Sequence, residues 1–285
     1  MDRSASLFNK LENLSAKTIF DEFYNKTKKK FGQNFLFDGK ISRKIVLAAG
    51  DLSGKIVLEI GPGPGGLTLE ILKQNVKKLF VLEFDSHWAE VWRSLRHIFG
   101  DKLEVVECDA LKFDTERIAP EVIISNLPYN ISTQLICKWL PRFHLYERLI
   151  LIFQKEVADR FCALPRTKAY GRLSVLAQWK SKVSKIFNLE SGSSFPAPRV
   201  KSAVLKFVPF KLNQCSCAEE YLQFDNFLAS MFMHRRKMAI KYLGAFLPDP
   251  EDTLKILGYD KNIRAEEISV ADYIKILEKI CHGRT

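Results

Sequence analysis

The sequence predicts an α/β fold built on a doubly wound, mostly parallel sheet and followed by a small all-helical C-terminal domain. Three observations lead there. Short apolar runs at Ile56–Ile60, Leu79–Leu82, Leu103–Val106, Val122–Ser125 and Leu149–Phe153 alternate with helix-period segments at Leu67–Lys73, Trp88–Ile98 and Ile131–Leu140. Parallel neighbours need such crossover connections. The first run opens into a glycine-rich turn, and strand-like patterning stops after Pro209.

In chain order, residues 1–27 carry apolar positions at Leu7, Leu11, Leu14, Ile19, Phe20 and Phe23 without Gly or Pro, which predicts a helical extension. The alternating block follows, and ligands of such sheets bind at the carboxyl ends of the strands. Two later β-rich runs, Val183–Leu189 and Ala203–Val208, flank the turn-rich segment 191–198 and predict a hairpin that finishes the sheet. Glu219–Leu243 runs 25 residues without Gly or Pro, and it places Phe224, Leu228, Met231 and Met238 on one helical face. Leu247–Leu257 and Val270–Cys281 are also helix-like. The expected domains are 1–27, 28–210 and 211–285.

The chain has 285 residues, a formal net charge of +11 and 12% aromatics. Basic side chains release counterions from phosphates and rings stack on bases, so a polyanionic partner is expected. No window is apolar enough to cross a bilayer. Six irregularly spaced cysteines contain no zinc-type pair, the five histidines have no metal-ligand spacing, and free thiols in a reducing cytoplasm are expected. Acidic residues near the N-terminus (Asp2, Glu12, Asp21, Glu22) disfavour a secretory or transit peptide.

The chemistry starts at Gly61-Pro-Gly63-Pro-Gly65-Gly66, where glycines let the backbone turn tightly and approach a ligand. Glu83 closes the second strand, placed to accept from ribose hydroxyls; this serves a dinucleotide or S-adenosyl-L-methionine equally well. No Lys-Ser/Thr follows the glycines, which excludes a P-loop. Asp109, beside Ala110 after the third strand, is placed to accept from an adenine amine, and the fourth strand ends in Asn126-Leu127-Pro128-Tyr129. Together these favour an adenosyl cofactor. The Asn126–Tyr129 segment resembles the motif of methyltransferases that act on exocyclic amines of nucleobases. An adenine amine is a poor nucleophile. The Asn126 side-chain oxygen and the Leu127 carbonyl, accepting from it, would favour the pyramidal transition state, Pro128 would stiffen the turn, and Tyr129 would stack on an extruded base.

In order along residues 28–285, the chain resembles the small-subunit ribosomal RNA adenine dimethyltransferase family (KsgA type). Lys30–Leu36, the glycine turn through Thr68, Phe153–Arg160 with Tyr170–Ser174, Phe195–Ser202 and Phe232–Lys237 carry the likeness. It implies a Rossmann-like class I methyltransferase sheet, with cofactor contacts from Gln33, Asn34, Leu36, Gly61, Gly63, Glu83, Asp109, Ala110 and Asn126. It implies Phe195 as a second wall opposite Tyr129, and a C-terminal helical domain that holds ribosomal RNA. The implied reaction dimethylates two adjacent adenosines in a hairpin near the 3′ end of small-subunit RNA, without metal. The small ribosomal subunit is the implied partner, and nothing suggests more than a monomer. Arg199, Lys201, Arg235, Arg236 and Lys237 are the expected RNA contacts, the last three on a basic stretch of the C-terminal helix. Residues 1–27 have no clear counterpart. Two other readings stay open: a large-subunit RNA methyltransferase of the antibiotic-resistance type, and a non-catalytic assembly factor that binds ribosomal RNA.

Overall fold

A computed structural model describes residues 14–24, 34–190, 192, 194–195, 200–211 and 218–282. A seven-stranded sheet has the order β4-β3-β2-β5-β6-β9-β7, made of β2 (Ile56–Ile60), β3 (Lys78–Glu83), β4 (Leu103–Glu107), β5 (Val122–Asn126), β6 (Arg148–Gln154), β7 (Ser181–Leu189) and β9 (Ser202–Pro209). Strands β2 to β6 pair in parallel, and β9 runs antiparallel to β6. All five runs predicted as parallel strands are strands. The reason is burial on both faces of the sheet, with Val57, Leu79, Val81, Val122, Ile124, Ile150 and Ile152 on one and Leu58, Ile60, Leu82, Ile123, Leu149 and Leu151 on the other. The late hairpin also forms, and β9 lies between β6 and β7.

Separate from this sheet is a two-stranded ribbon of β1 (Phe35–Leu36) and β8 (Ser194–Phe195), with Phe35 opposite Phe195. It was not foreseen, because two residues are too few for a period.

The helices around the sheet include α1 (Ala16–Phe23), α2 (Gly39–Leu47), α3 (Gly66–Leu72), α4 (Ser86–Phe99) and α5 (Ser132–Trp139). Helix α1 is the described part of the predicted extension, its Ser15–Thr18 capping box closes its N-terminus, and Leu7 and Leu11 lie outside the described residues. Asp85 caps α4, which buries Trp88, Val91, Trp92, Leu95 and Phe99 at helical spacing and stops at Gly100.

The chain divides into two compact units. The first is 1–138, 145–158 and 184–208; the second is 139–144, 159–183 and 209–285. The late division falls at Val208, near the expected 210, while 139–144 and 159–183 group with the C-terminal helices. Those helices are α8 (Ala218–Met233), α9 (Ile240–Leu243), α10 (Pro250–Ile256) and α11 (Val270–His282), joined by α7 (Arg172–Lys180); α6 (Lys155–Phe161) spans the division. The core of the second unit is aromatic. Phe227 meets Phe224, Phe246 and Tyr273, and the Tyr170 hydroxyl donates to the Ile268 carbonyl at 2.9 Å.

Two helix expectations are corrected here. The single helix expected over 219–243 breaks at 234–239, where Ala239 N–H donates to the Ile263 carbonyl and Met238 bridges Arg264, so the backbone bonds that would continue the helix go to another segment. The helix expected from Leu247 starts at Pro250, because the residue before a proline is pushed out of helical geometry and proline suits the first helical position.

Candidate active site

At the carboxyl ends of the parallel strands lies a cavity of about 330 Å³, within the size range of small-molecule sites. Of the residues predicted for it, Asn34, Leu36, Gly61, Gly63, Glu83, Asp109 and Ala110 line it, and so do all four of Asn126–Tyr129. They come together because β2, β3 and β5 are neighbours whose turns leave the sheet at the same edge.

The glycine turn is shaped from behind. Gly63 and Gly65 have φ of +51° and +91°, a left-handed conformation that side chains resist. A Cβ at Gly63 would lie 2.7 Å from the Phe35 ring, and one at Gly65 would lie 2.2 Å from the Trp92 ring. Trp92 also donates its indole N–H to the Gly63 carbonyl at 2.7 Å. Thus Phe35 and Trp92, which sequence reading missed, set the path of the loop. The signal for Trp92 was membership of an apolar helix, and that for Phe35 its place between Asn34 and Leu36.

Two buried carboxylates sit beneath the turn. Glu83 accepts from Asp85 N–H at 2.9 Å and Gly63 N–H at 3.3 Å; burial nevertheless pushes its pKa up to about 7, against those two hydrogen bonds. Glu59 accepts from the Thr68 hydroxyl at 2.7 Å, and burial, reinforced by the Glu83 charge, raises it to about 8. Both carboxyls therefore hold a proton more readily than a free glutamate does. The Asp109 turn is held by Lys138, whose ammonium donates to the carbonyls of Ala110, Leu111 and Phe113 at 3.2, 2.8 and 2.5 Å. Burial pushes the neighbouring Cys108 thiol up to about 11, so it stays protonated.

The Asn126–Tyr129 turn is oriented by hydrogen bonds. Asn126 Nδ2 donates to the Asn34 carbonyl at 2.8 Å, which commits the amide nitrogen and leaves Oδ1 as acceptor. The Tyr129 hydroxyl lies 2.6 Å from Ser202 Oγ, and burial raises the phenol above its ordinary value. Ser202, from the start of β9, is a further residue whose part in the site was not foreseen.

Some expectations resolve differently. Phe195 does not line the cavity opposite Tyr129: its pairing with β1 carries the ring to Phe37 and Phe20, with centroids 6.0 and 5.8 Å away. Arg235 is engaged inside the second unit, donating to the carbonyls of Lys168 and Tyr170 at 2.9 and 3.4 Å and pairing with Glu266 at 3.4 Å. Arg236 and Lys237 are exposed in the turn that replaces the expected helix, and Lys201 is exposed ahead of β9. Gln33 and Arg199 lie outside the described residues. Among the described residues, no cluster of His, Cys, Asp or Glu could hold a metal ion, and no helix is long and apolar enough to cross a membrane.

A glycine turn flanked by acidic residues after adjacent parallel strands, in a sheet whose antiparallel β9 lies between β6 and β7, defines a Rossmann-like methyltransferase fold. The acceptor set suits an adenosyl group, with one carboxylate, Glu83, at the end of β3 and another, Asp109, just after β4. The family model described as ribosomal RNA adenine dimethylase matches residues 24–281, and the chain belongs to that family. It is 39% identical over 251 residues to ribosomal RNA small subunit methyltransferase A of Paramagnetospirillum magneticum, covering 86% of this chain and 87% of the relative. The protein of the same name from Rhodospirillum rubrum is 37% identical over 255 residues, covering 89% and 88%. A dimethyladenosine transferase structure from Plasmodium falciparum superposes with a TM-score of 0.73 at 28% identity, covering 87% of this chain and 98% of that one. The 23S rRNA methyltransferase ErmE, at 22% identity and a TM-score of 0.66, shares the fold, covering 87% of this chain and 100% of its own.

Proposed function

We propose that this protein is an S-adenosyl-L-methionine-dependent rRNA (adenine-N6,N6)-dimethyltransferase. It acts on two adjacent adenosines in a hairpin near the 3′ end of small-subunit ribosomal RNA, on the subunit itself in the cytoplasm, and so takes part in ribosome biogenesis. The observation that carries the reading is Asn126, whose Nδ2 is tied to the Asn34 carbonyl so that Oδ1 is the group left to accept from an amine at the cavity.

When bound, S-adenosyl-L-methionine supplies a methyl group activated by a sulfonium. Glu83 and Asp109 suit its ribose hydroxyls and adenine amine, and the Gly61–Gly65 turn lets backbone come close. On the base side, Asn126 Oδ1 and the Leu127 carbonyl accept from the exocyclic amine. They draw its lone pair out of the ring and stabilise the positive charge that develops as the N–C bond forms. Tyr129, held by Ser202, offers its face to the extruded base. The amine proton leaves to water, so no strong base is needed. Lys201, Arg236 and Lys237 are the proposed phosphate contacts, and Arg235 is assigned to holding the second unit together.

Labelled methyl transfer to small subunits lacking the modification, followed by nucleoside digestion, tests this. Dimethyladenosine at two adjacent positions, lost in Asn126→Ala, is the expected result. Label found only in large-subunit RNA favours the resistance-type activity, and RNA binding without label favours a non-catalytic assembly factor.

A further inference from the structure

Helix α1 belongs to the segment with no clear family counterpart, yet it is built into the first unit. Ala16 and Ile19 are buried, and Ile19 joins the main core. Phe20 is the hub. Its ring centroid lies 5.0 Å from Phe37, 5.7 Å from Phe35, 5.8 Å from Phe195 and 6.5 Å from Trp88. At the end of the helix, the Phe23 carbonyl lies 2.7 Å from His87 Nε2.

Of these partners, Phe35 lines the cavity and Phe37 follows Leu36, which also lines it. Phe35 and Phe195 are register partners in the β1–β8 ribbon, and a ribbon of two residues per strand has too few ladder bonds to persist unaided. Apolar packing must hold it, and Phe20 touches both of its rings. Phe35 in turn fills the space behind Gly63, and its neighbour Asn34 supplies the carbonyl that orients Asn126. His87 and Trp88, in the first turn of α4, stand two and three positions after Asp85, the last residue of the cavity-lining Glu83–Asp85 segment.

We propose that α1 braces the cofactor pocket and that Phe20 is its positioning residue, setting the β1–β8 ribbon and through it the Asn34 carbonyl that holds Asn126. The inference rests on the methyltransferase reading above. A helix that merely covered the core would add stability and nothing else. A brace also sets rate and affinity, since a displacement of about 1 Å at a reacting group costs up to about 100-fold.

The test uses the full chain with Phe20→Ala, Phe20→Leu and, as a control on the exposed side of the same helix, Lys17→Ala. Three quantities are read well below the unfolding midpoint: the calorimetric Kd for S-adenosyl-L-methionine, and kcat and KM for methyl transfer to unmethylated small subunits. Phe20→Ala is expected to weaken cofactor binding and lower kcat at saturating cofactor by about ten-fold each, with Phe20→Leu between it and wild type and Lys17→Ala unchanged. Wild-type Kd and kcat in a folded Phe20→Ala protein whose midpoint alone has dropped would overturn the brace. Should Phe20→Ala not fold, Phe20→Leu decides by the same two readouts. A wild-type chain that binds no S-adenosyl-L-methionine takes down the methyltransferase reading and the brace with it, whereas binding that is equal in wild type and variant removes the brace alone.

Discussion

The glycine turn after β2 is packed from behind by the rings of Phe35 and Trp92, whereas the Asn126–Tyr129 turn after β5 is held by hydrogen bonds to the Asn34 carbonyl and Ser202 Oγ. The first is specified by space: its backbone goes where bulky neighbours leave room, and an atom added at Gly63 or Gly65 collides. The second is specified by direction, since each bond points one side chain and leaves its other atoms for a substrate. Changes in the first loop therefore act on folding and cofactor binding together, and changes in the second act on the chemical step with the fold preserved.

The largest expected effect tests the spatial side. Gly65→Ala places a methyl group 2.2 Å from the Trp92 ring at a left-handed backbone position. Strain and overpacking together should cost about 3–5 kcal/mol, read by denaturant unfolding, with cofactor binding lost in parallel. A variant with near-normal stability would show that Trp92 swings aside and that the loop is not set by packing.

Next comes Asn126→Ala, expected to lower kcat by about 100- to 1,000-fold while the Kd for S-adenosyl-L-methionine changes by no more than a few-fold. A parallel loss of cofactor affinity would erase the distinction between the two loops.

Smaller again is Ser202→Ala, which frees Tyr129 without removing its ring. We expect kcat on small subunits to fall by about five- to ten-fold, the value of one neutral hydrogen bond, and Ser202→Thr to restore most of it. Equal stability and equal kcat in the alanine variant would mean that the base does not depend on that bond.

The smallest effect concerns the carboxylates under the glycine turn. Glu59 and Glu83 are raised to about 8 and about 7 by burial, so the folded chain binds these protons more tightly than the unfolded one. Their contribution to stability is complete below the unfolded value near 4.5 and is lost as pH rises through 7 to 8. The unfolding midpoint of ligand-free protein should thus drop by about a few degrees between pH 5 and 8.5, and Glu59→Gln should flatten that drop. A profile unchanged by the substitution would place the proton elsewhere.

Much of the site was legible because it uses residues with few alternative reasons to be where they are. Glycines clustered after an apolar run, a carboxylate after each of the next two runs and Asn-Leu-Pro-Tyr after the fourth define ligand chemistry by type and spacing alone. Trp92, Lys138 and Ser202 were illegible for the opposite reason: a buried Trp, a helix Lys and a strand-start Ser are ordinary in any sequence, and their roles come from partners 29, 25 to 28 and 73 positions away. The basic stretch 235–237 misled in another way. Charge marks a residue as exposed or paired, and the carbonyls of Lys168 and Tyr170 with the Glu266 carboxylate decide that Arg235 is paired while Arg236 and Lys237 are exposed.

By itself, then, the sequence determined the strands, their alternation with helices and the identity of most groups that line the cavity, because periodicity and residue chemistry are local properties. Tertiary structure alone decided which way those groups face: the Asn126 amide set by a carbonyl 92 residues earlier, the Phe195 ring drawn to the N-terminal helix, the long C-terminal helix broken where Ala239 bonds to Ile263. Orientation is fixed by contacts between distant segments, and a contact has no representation in the chain until folding brings its two sides together.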